Sequence, residues 1–294
     1  MKRFFKDIKK FWNFVVYSSN AELKSEVAGS FLSWLWWFLD PLLFMMVYSF
    51  IAILIFQSGE PHFPVFVFLG MNCWQFFSKT VKSSVRLIVG NKAIVTKVYI
   101  PKHMLILEKL GVYGFKMFVS FGLTAVFLIG EAILNAIWGI GEPVVIGFEI
   151  LWVIPLIALL FLVTFAASLF MSHFGVFVED LTNIITVVLQ LGFYVSGVFY
   201  SLENRLQRVD MAVPFFEKLT IFESYNEFWR FVGELLTNVN PLALIMSDMR
   251  YAVLGNGSGF HFVAYAVWFV LAAIISVIGI RVIYKFENSY VKII

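Results

Sequence analysis

The chain has 294 residues, 61% of them hydrophobic, 19% aromatic and 14% charged, with a mean hydropathy of +0.86. Soluble globular domains carry about 25% charged residues, so this composition excludes an ordinary soluble domain and points to an all-α polytopic membrane protein. The net charge of +3 is small, and the single cysteine, Cys73, excludes an internal disulfide.

The first residues, Lys2–Tyr17, combine lysines with Phe and Trp. They lack the apolar core and small-residue cleavage site of a signal peptide and predict an N-terminal interfacial amphipathic helix within residues 1–35. Six transmembrane helices follow, expected at about Trp36–Phe56, Phe63–Thr80, Val112–Trp138, Val144–Met171, Leu181–Tyr200 and Phe262–Tyr284. Asp40 precedes Pro41 near the start of the first span, as an N-cap residue precedes a proline at the first helical position. The even number of spans places both termini on one side.

Between the second and third spans, the segment 79–110 holds seven of the 22 Lys/Arg and one acid, Glu108. The N-terminal segment adds Lys2, Arg3, Lys6, Lys9, Lys10 and Lys24, and the tail adds Arg281, Lys285 and Lys292. The loops around Glu60 and Glu142 carry none, so the basic segment and both termini are expected in the cytoplasm. The turn Ser172–Asp180 runs against the rule, with Glu179 and Asp180 but no Lys or Arg. Charge alone supports orientation; the lysines serve either a partner protein or anionic lipid equally well. Residues 201–260 form the long outer connection, rich in Phe and holding Trp229, Pro214 and Pro241. It is expected to form short outer-leaflet helices.

Several chemistries are absent. There is no phosphate-binding G-x-x-x-x-G-K-[ST], no H-E-x-x-H and no C-x-x-C. His62, His103, His173 and His261 are scattered near predicted span ends, which suits interfacial residues better than a metal site. No catalytic cluster of His, Asp and Glu is suggested, which disfavours a membrane-embedded glycan- or lipid-modifying enzyme. Glu131 lies about 20 residues into the third span, about 30 Å along it and so at the outer interface. Glu149 also lies near the outer surface, and Lys116 can snorkel from the inner end. No carboxylate is left at the midplane, which disfavours an ion-coupled carrier. Aromatic clusters at Trp34, Trp36 and Trp37, at Trp74, Phe76 and Phe77, and at Phe193, Tyr194, Phe199 and Tyr200 suit either lipid contact or a path for sugar rings.

Five motifs occur in an order that resembles ABC-2 type permeases of the polysaccharide, O-antigen and teichoic acid export family. They are Leu23–Leu43 with its Ser30-Phe31-Leu32 and Asp40-Pro41-Leu42-Leu43, Phe68-Leu69-Gly70-Met71-Asn72-Cys73-Trp74-Gln75-Phe76-Phe77, Lys97-Val98-Tyr99-Ile100-Pro101-Lys102, Asp180–Tyr200 ending Ser196-Gly197-Val198-Phe199-Tyr200, and Asn240-Pro241-Leu242 with Arg250 downstream. Ser33 stands where the family usually has Gly, and Glu179 where it commonly has Arg. Residues 175–181 and the Ser196–Tyr200 ending lean toward the teichoic-acid members.

The resemblance implies a single ABC-2 transmembrane domain over 1–294. Two copies of this subunit, a homodimer, would sit on two copies of a separate ABC ATPase that holds ATP and Mg, with no cofactor, metal or catalytic residue in this chain and no nucleic-acid partner. It implies a cytoplasmic coupling helix within Asn91–Leu105, with Asn91, Lys92, Lys97, Tyr99, Pro101 and Lys102 as coupling residues, and the N-terminal helix as a second contact. A polyprenyl-diphosphate-linked polysaccharide would cross the bacterial inner membrane between the first and fifth spans, past Trp34, Trp37, Trp74, Phe193, Tyr194, Phe199 and Tyr200. The outer helices of 201–250 would gate it. Arg205, Arg208 and Arg250 stand either as contacts for the diphosphate or as solvated or paired surface charges.

Overall fold

A computed structural model describes residues 2–28, 31–51, 62–139, 147–200, 225–255 and 259–293. Regular structure among the described residues is helical throughout. The order is α1 (Lys2–Val27), a 3-10 turn (Ser33–Leu35) leading into α2 (Trp36–Ile51), α3 (Phe63–Val85), two one-turn helices α4 (Leu87–Gly90) and α5 (Lys92–Val95), α6 (Lys102–Trp138), a 3-10 turn (Phe148–Trp152) leading into α7 (Val153–Phe177), α8 (Leu181–Val195), α9 (Tyr225–Val239), α10 (Pro241–Leu254) and α11 (Phe262–Ile293).

Lys102–Trp138, Phe148–Phe177 and Phe262–Tyr290 are long and apolar enough to cross a bilayer. Trp36–Val47 and Leu181–Val195 are apolar but shorter. Helix α3 has 23 residues, most of them enclosed by protein. Six helices therefore follow the order of the six expected spans, while length and composition qualify three of them.

Helix α3 is the axis of the bundle and packs on α2, α6, α7, α8 and α10; α7 packs along α11. Lipid supplies no hydrophobic drive between helices, so close approach depends on small residues and on satisfied polar groups. Gly175 of α7 lies against the Val85 carbonyl so tightly that a methyl group would overlap it, and a Cβ on Gly279 of α11 would meet Leu169 Cβ at 2.9 Å. Hydroxyls donate back into their own helices, as in Thr80 to the Phe76 carbonyl at 2.6 Å and Thr164 to the Leu160 carbonyl at 2.6 Å. Such back-bonding satisfies a hydroxyl without a partner from another helix.

Helix α1 buries Phe4, Val15 and Leu23 and exposes Lys2, Lys6, Lys9 and Lys10, the amphipathic division expected of it. It lies along the start of α6, where Ser19 donates to the Glu108 carbonyl at 3.1 Å and Lys109 pairs with Glu22 at 2.5 Å. At α10, Asn240 caps the helix, its Oδ1 accepting from the backbone N–H of Leu242 (3.0 Å) and Ala243 (3.4 Å), with Pro241 at the first helical position. Gly255, at φ +69°, ends it.

Several boundaries differ from the sequence reading. Helix α6 begins at Lys102, ten residues before the expected span, because buried Met104, Leu105 and Ile106 continue its apolar face below the membrane-length stretch. Asn91–Leu105 thus holds α5 and the first turn of α6, in place of the single short helix expected there. Asp40 is not an N-cap: α2 starts at Trp36 and Pro41 lies inside it. Pro41 cannot donate to the Trp37 carbonyl, and Asp40 instead accepts from Lys79 at 3.4 Å. Helix α8 ends at Val195, leaving Ser196–Tyr200 as a turn. Helix α7 runs on to Phe177, past the expected end at Met171, and α11 runs on to Ile293, past Tyr284. Arg86 donates to the Glu179 carbonyl at 2.9 Å, which puts the acidic turn after α7 at the same end of the bundle as the basic segment. Of the outer connection, 201–224 lies outside the described residues. Helix α10 beyond it is enclosed by protein, with Leu244, Ile245 and Met249 buried.

Candidate functional site

At the basic end, α4 and α5 hold on by their inner faces. Leu87, Ile88 and Val95 are buried, and Asn91 donates to the Leu87 carbonyl at 2.8 Å, closing the corner between the two turns. The outer side of this corner presents Lys92, Ala93, Ile94, Thr96, Lys97 and Val98, all exposed. Residues 99 and 100 have no regular structure, so side chains position them. Ile100 packs with Val15 and Met104. Tyr99 is exposed; its Oη accepts from Arg3 Nη2 at 2.5 Å and lies 3.5 Å from Glu287 Oε2. Pro101 is extended at φ −60° and ψ 126° and starts α6.

Of the six expected coupling residues, Lys92, Lys97 and Tyr99 reach the surface, Asn91 is half-buried, and Pro101 and Lys102 are buried. Lys102 is 3% exposed, its Nζ 3.6 Å from Glu287 Oε1 and 5.8 Å over the Tyr99 ring. Its role as a surface docking cation is therefore corrected: it ties α6 to α11 from inside.

Arg3, Asp7, Tyr284 and Glu287 complete this corner and were not singled out from the sequence. Arg3 Nη2 lies 3.1 Å from Glu287 Oε2, its guanidinium stands 4.3 Å over the Tyr284 ring, and Tyr284 donates to Asp7 Oδ2 at 2.5 Å. The hydrogen bond to Tyr99 raises the Arg3 pKa, and burial raises that of Tyr99, so both keep their protons at physiological pH. A signal existed. Asp7 is an acid on the apolar side of a basic amphipathic helix, and Glu287 is the one acid after Arg281.

Two clefts flank α2. One, of about 240 Å³, is lined by Trp36, Trp37, Asn72, Tyr113 and Lys116 among others. The other, of about 480 Å³ between α2, α3 and α8, is lined by Phe44, Trp74, Gln190, Phe193 and Tyr194 among others. Asp40, Gln75 and Lys79 border both. Three of the seven aromatic pathway candidates, Trp74, Phe193 and Tyr194, line the larger cleft, and Phe199 and Tyr200 pack against two of them. Trp74 meets Phe193 edge-on at 5.8 Å, Phe193 meets Phe199 at 5.0 Å and Tyr194 at 5.4 Å, and Tyr200 donates to the Tyr194 carbonyl at 2.6 Å. Trp37 lines the smaller cleft and packs on Phe115 at 5.3 Å. Trp34 is exposed and packs on Phe38 at 5.9 Å.

At the far end, three of the motifs converge on Arg250. Its Nε donates to the Phe66 carbonyl (3.2 Å), Nη1 to Gly197 (3.0 Å) and Nη2 to Val198 (2.6 Å), and the guanidinium lies 3.7 Å from the Phe66 ring centre. A side chain at Gly70 would press on this guanidinium and on the Val198 carbonyl. Asn240 Nδ2 donates to Ser196 Oγ at 2.9 Å, joining the same two motifs a second time. Arg250, at 4% exposure, is therefore neither a surface charge nor open to a substrate phosphate. Arg205 and Arg208 lie outside the described residues. His62 pairs with Glu131, and His261 with Asp248, each at 2.7 Å.

No family model matches the chain. Two O-antigen export system permease proteins RfbA of Klebsiella pneumoniae are 23% and 22% identical to it over 284 residues, 96% of this chain and 95% of each relative. The O-antigen export system permease protein RfbA of Myxococcus xanthus is 29% identical over 204 residues, 69% of this chain and 74% of that relative. The chain is thus similar, over nearly its whole length in two cases and over about two thirds of it in the third, to proteins named as O-antigen export permeases, which are transport components.

Proposed function

We propose that this chain is the transmembrane subunit of an ATP-driven exporter that moves a polyprenyl-diphosphate-linked polysaccharide across the bacterial inner membrane, with both termini in the cytoplasm. Two copies form the pathway, and two copies of a separate ABC ATPase, carrying ATP and Mg, dock on the basic end. O-antigen is favoured over capsule or teichoic acid because the relatives are named for O-antigen export.

The observation that carries this reading is the exposed surface of Ile94, Lys97, Val98 and Tyr99, apolar at its centre and basic at its rim, held at the basic end by α1, α6 and α11. An apolar centre with a polar rim is the usual make-up of a protein contact. The path would follow the larger cleft, where aromatic faces next to Gln75, Lys79 and Gln190 suit sugar rings.

The test is co-expression with an ABC ATPase of the same organism that carries a Walker motif. The wild-type chain retains the ATPase through purification. Val98→Glu places a charge at the centre of the contact and removes that retention while leaving the thermal stability of the permease unchanged, since Val98 is 55% exposed. Undiminished retention by Val98→Glu refutes this docking surface.

A further inference from the structure

We infer that Glu287, near the end of α11, is a positioning residue of the coupling unit, making the C-terminal helix a third limb through which the partner's motion enters the bundle. The inference rests on the reading of Ile94–Tyr99 as the ATPase contact.

The contact segment cannot hold its own shape. Helices α4 and α5 are one turn each, and residues 99 and 100 belong to no helix. A force applied to a segment held only by its chain ends is spent bending it. Here the Glu287 carboxylate takes Arg3 at 3.1 Å from α1, lies 3.5 Å from the Tyr99 hydroxyl of the contact segment, and pairs with Lys102 at 3.6 Å from the first turn of α6. One side chain thus meets all three elements that border the contact. Arg3 and Lys102 balance Glu287 and Asp7, so the group is neutral as a set, and each charge depends on the others for its partner. Helix α11 then runs the height of the bundle along α7. A displacement of Tyr99 is in this way carried to α1, α6 and α11 together.

The test uses the co-purified permease–ATPase complex with Glu287→Gln, which keeps the size and removes the charge. Arg3→Gln is a second variant at a half-exposed position where folding is not at risk. Complex recovery, thermal unfolding, ATP hydrolysis and polymer delivered to the cell surface are measured. The expected result is wild-type recovery of the complex for both variants, wild-type stability for Arg3→Gln, a lower unfolding temperature for Glu287→Gln because buried Lys102 loses its counterion, continued ATP hydrolysis, and about a tenfold fall in polymer delivered per ATP for both, because a charge-assisted contact to Glu287 is lost. Glu287→Asp, which retains the charge, recovers most of the yield. Normal delivery by Glu287→Gln in an intact complex overturns the inference alone. Loss of stability in Arg3→Gln, or of ATPase retention in either variant, in step with delivery also overturns it, by making Glu287 a structural staple. Failure of the wild-type chain to retain the ATPase overturns the docking reading and this inference with it.

Discussion

Arg250→Met is the sharpest test of how the far end is held. Methionine keeps much of the apolar stem but leaves the turn carbonyls of Gly197 and Val198 without their donor and the Phe66 carbonyl with only its bond inside α3. Each buried unsatisfied acceptor costs about 1–3 kcal/mol. The low end applies, because a carbonyl has a second lone pair and the turn can relax. Loss of the guanidinium from the Phe66 face removes about 1 kcal/mol more. The expected cost is about 4 kcal/mol, or roughly a 10 °C fall in the midpoint of heat-induced loss of the monodisperse species in detergent. Arg250→Lys keeps the charge but cannot reach three divergent carbonyls or lie flat on the ring, so it loses about half as much. Gly70→Ala destabilises by pressing on the guanidinium and on the Val198 carbonyl. Its cost shrinks in the Arg250→Met background, where the first of those clashes is gone. Wild-type thermal stability in Arg250→Met, together with abolished export, refutes the reasoning and returns Arg250 to a role in binding substrate phosphate.

Three further outcomes are expected. Gly175→Ala drives a methyl group into the Val85 carbonyl and costs about 2–3 kcal/mol, visible as reduced yield and a lower unfolding temperature. Asn240→Ala removes both the α10 cap and the bond to Ser196, so a loss of about 1–2 kcal/mol in the same heating assay is expected. Asp40→Asn breaks a pair with Lys79 in which both side chains are nearly half exposed, so stability changes by less than about 1 kcal/mol. A large export defect in that variant then marks the border of the two clefts as part of the pathway, and unchanged export removes Asp40 from it.

Local signals were readable where the chemistry is local. The amphipathic division of α1 repeats every three to four residues and survives in the fold, as do the Asn240–Pro241 start of α10 and the separation of α7 from α8 at Glu179–Asp180. The start of α6 was misplaced because Lys102, His103, Glu108 and Lys109 make its first turns look like a loop, although the packing of α1 on α6 encloses most of that stretch. Asp40-Pro41 carried a valid helix-start pattern that Trp36 and Trp37 override by extending the helix ahead of it.

Composition, hydropathy and charge placement by themselves determined that this is a helical membrane protein, with a basic segment between two apolar runs and no catalytic or nucleotide-binding motif. Only the tertiary structure decided which charges are available. Lys97 and Lys102 look alike in sequence, yet one is exposed and the other is enclosed beside Glu287, 185 positions downstream. Arg250 meets Phe66 across 184 positions and Gly197 across 53. The reason is physical: hydropathy periodicity reports the environment within a few turns, whereas a buried charge is set by whichever partner the packing of distant helices delivers to it.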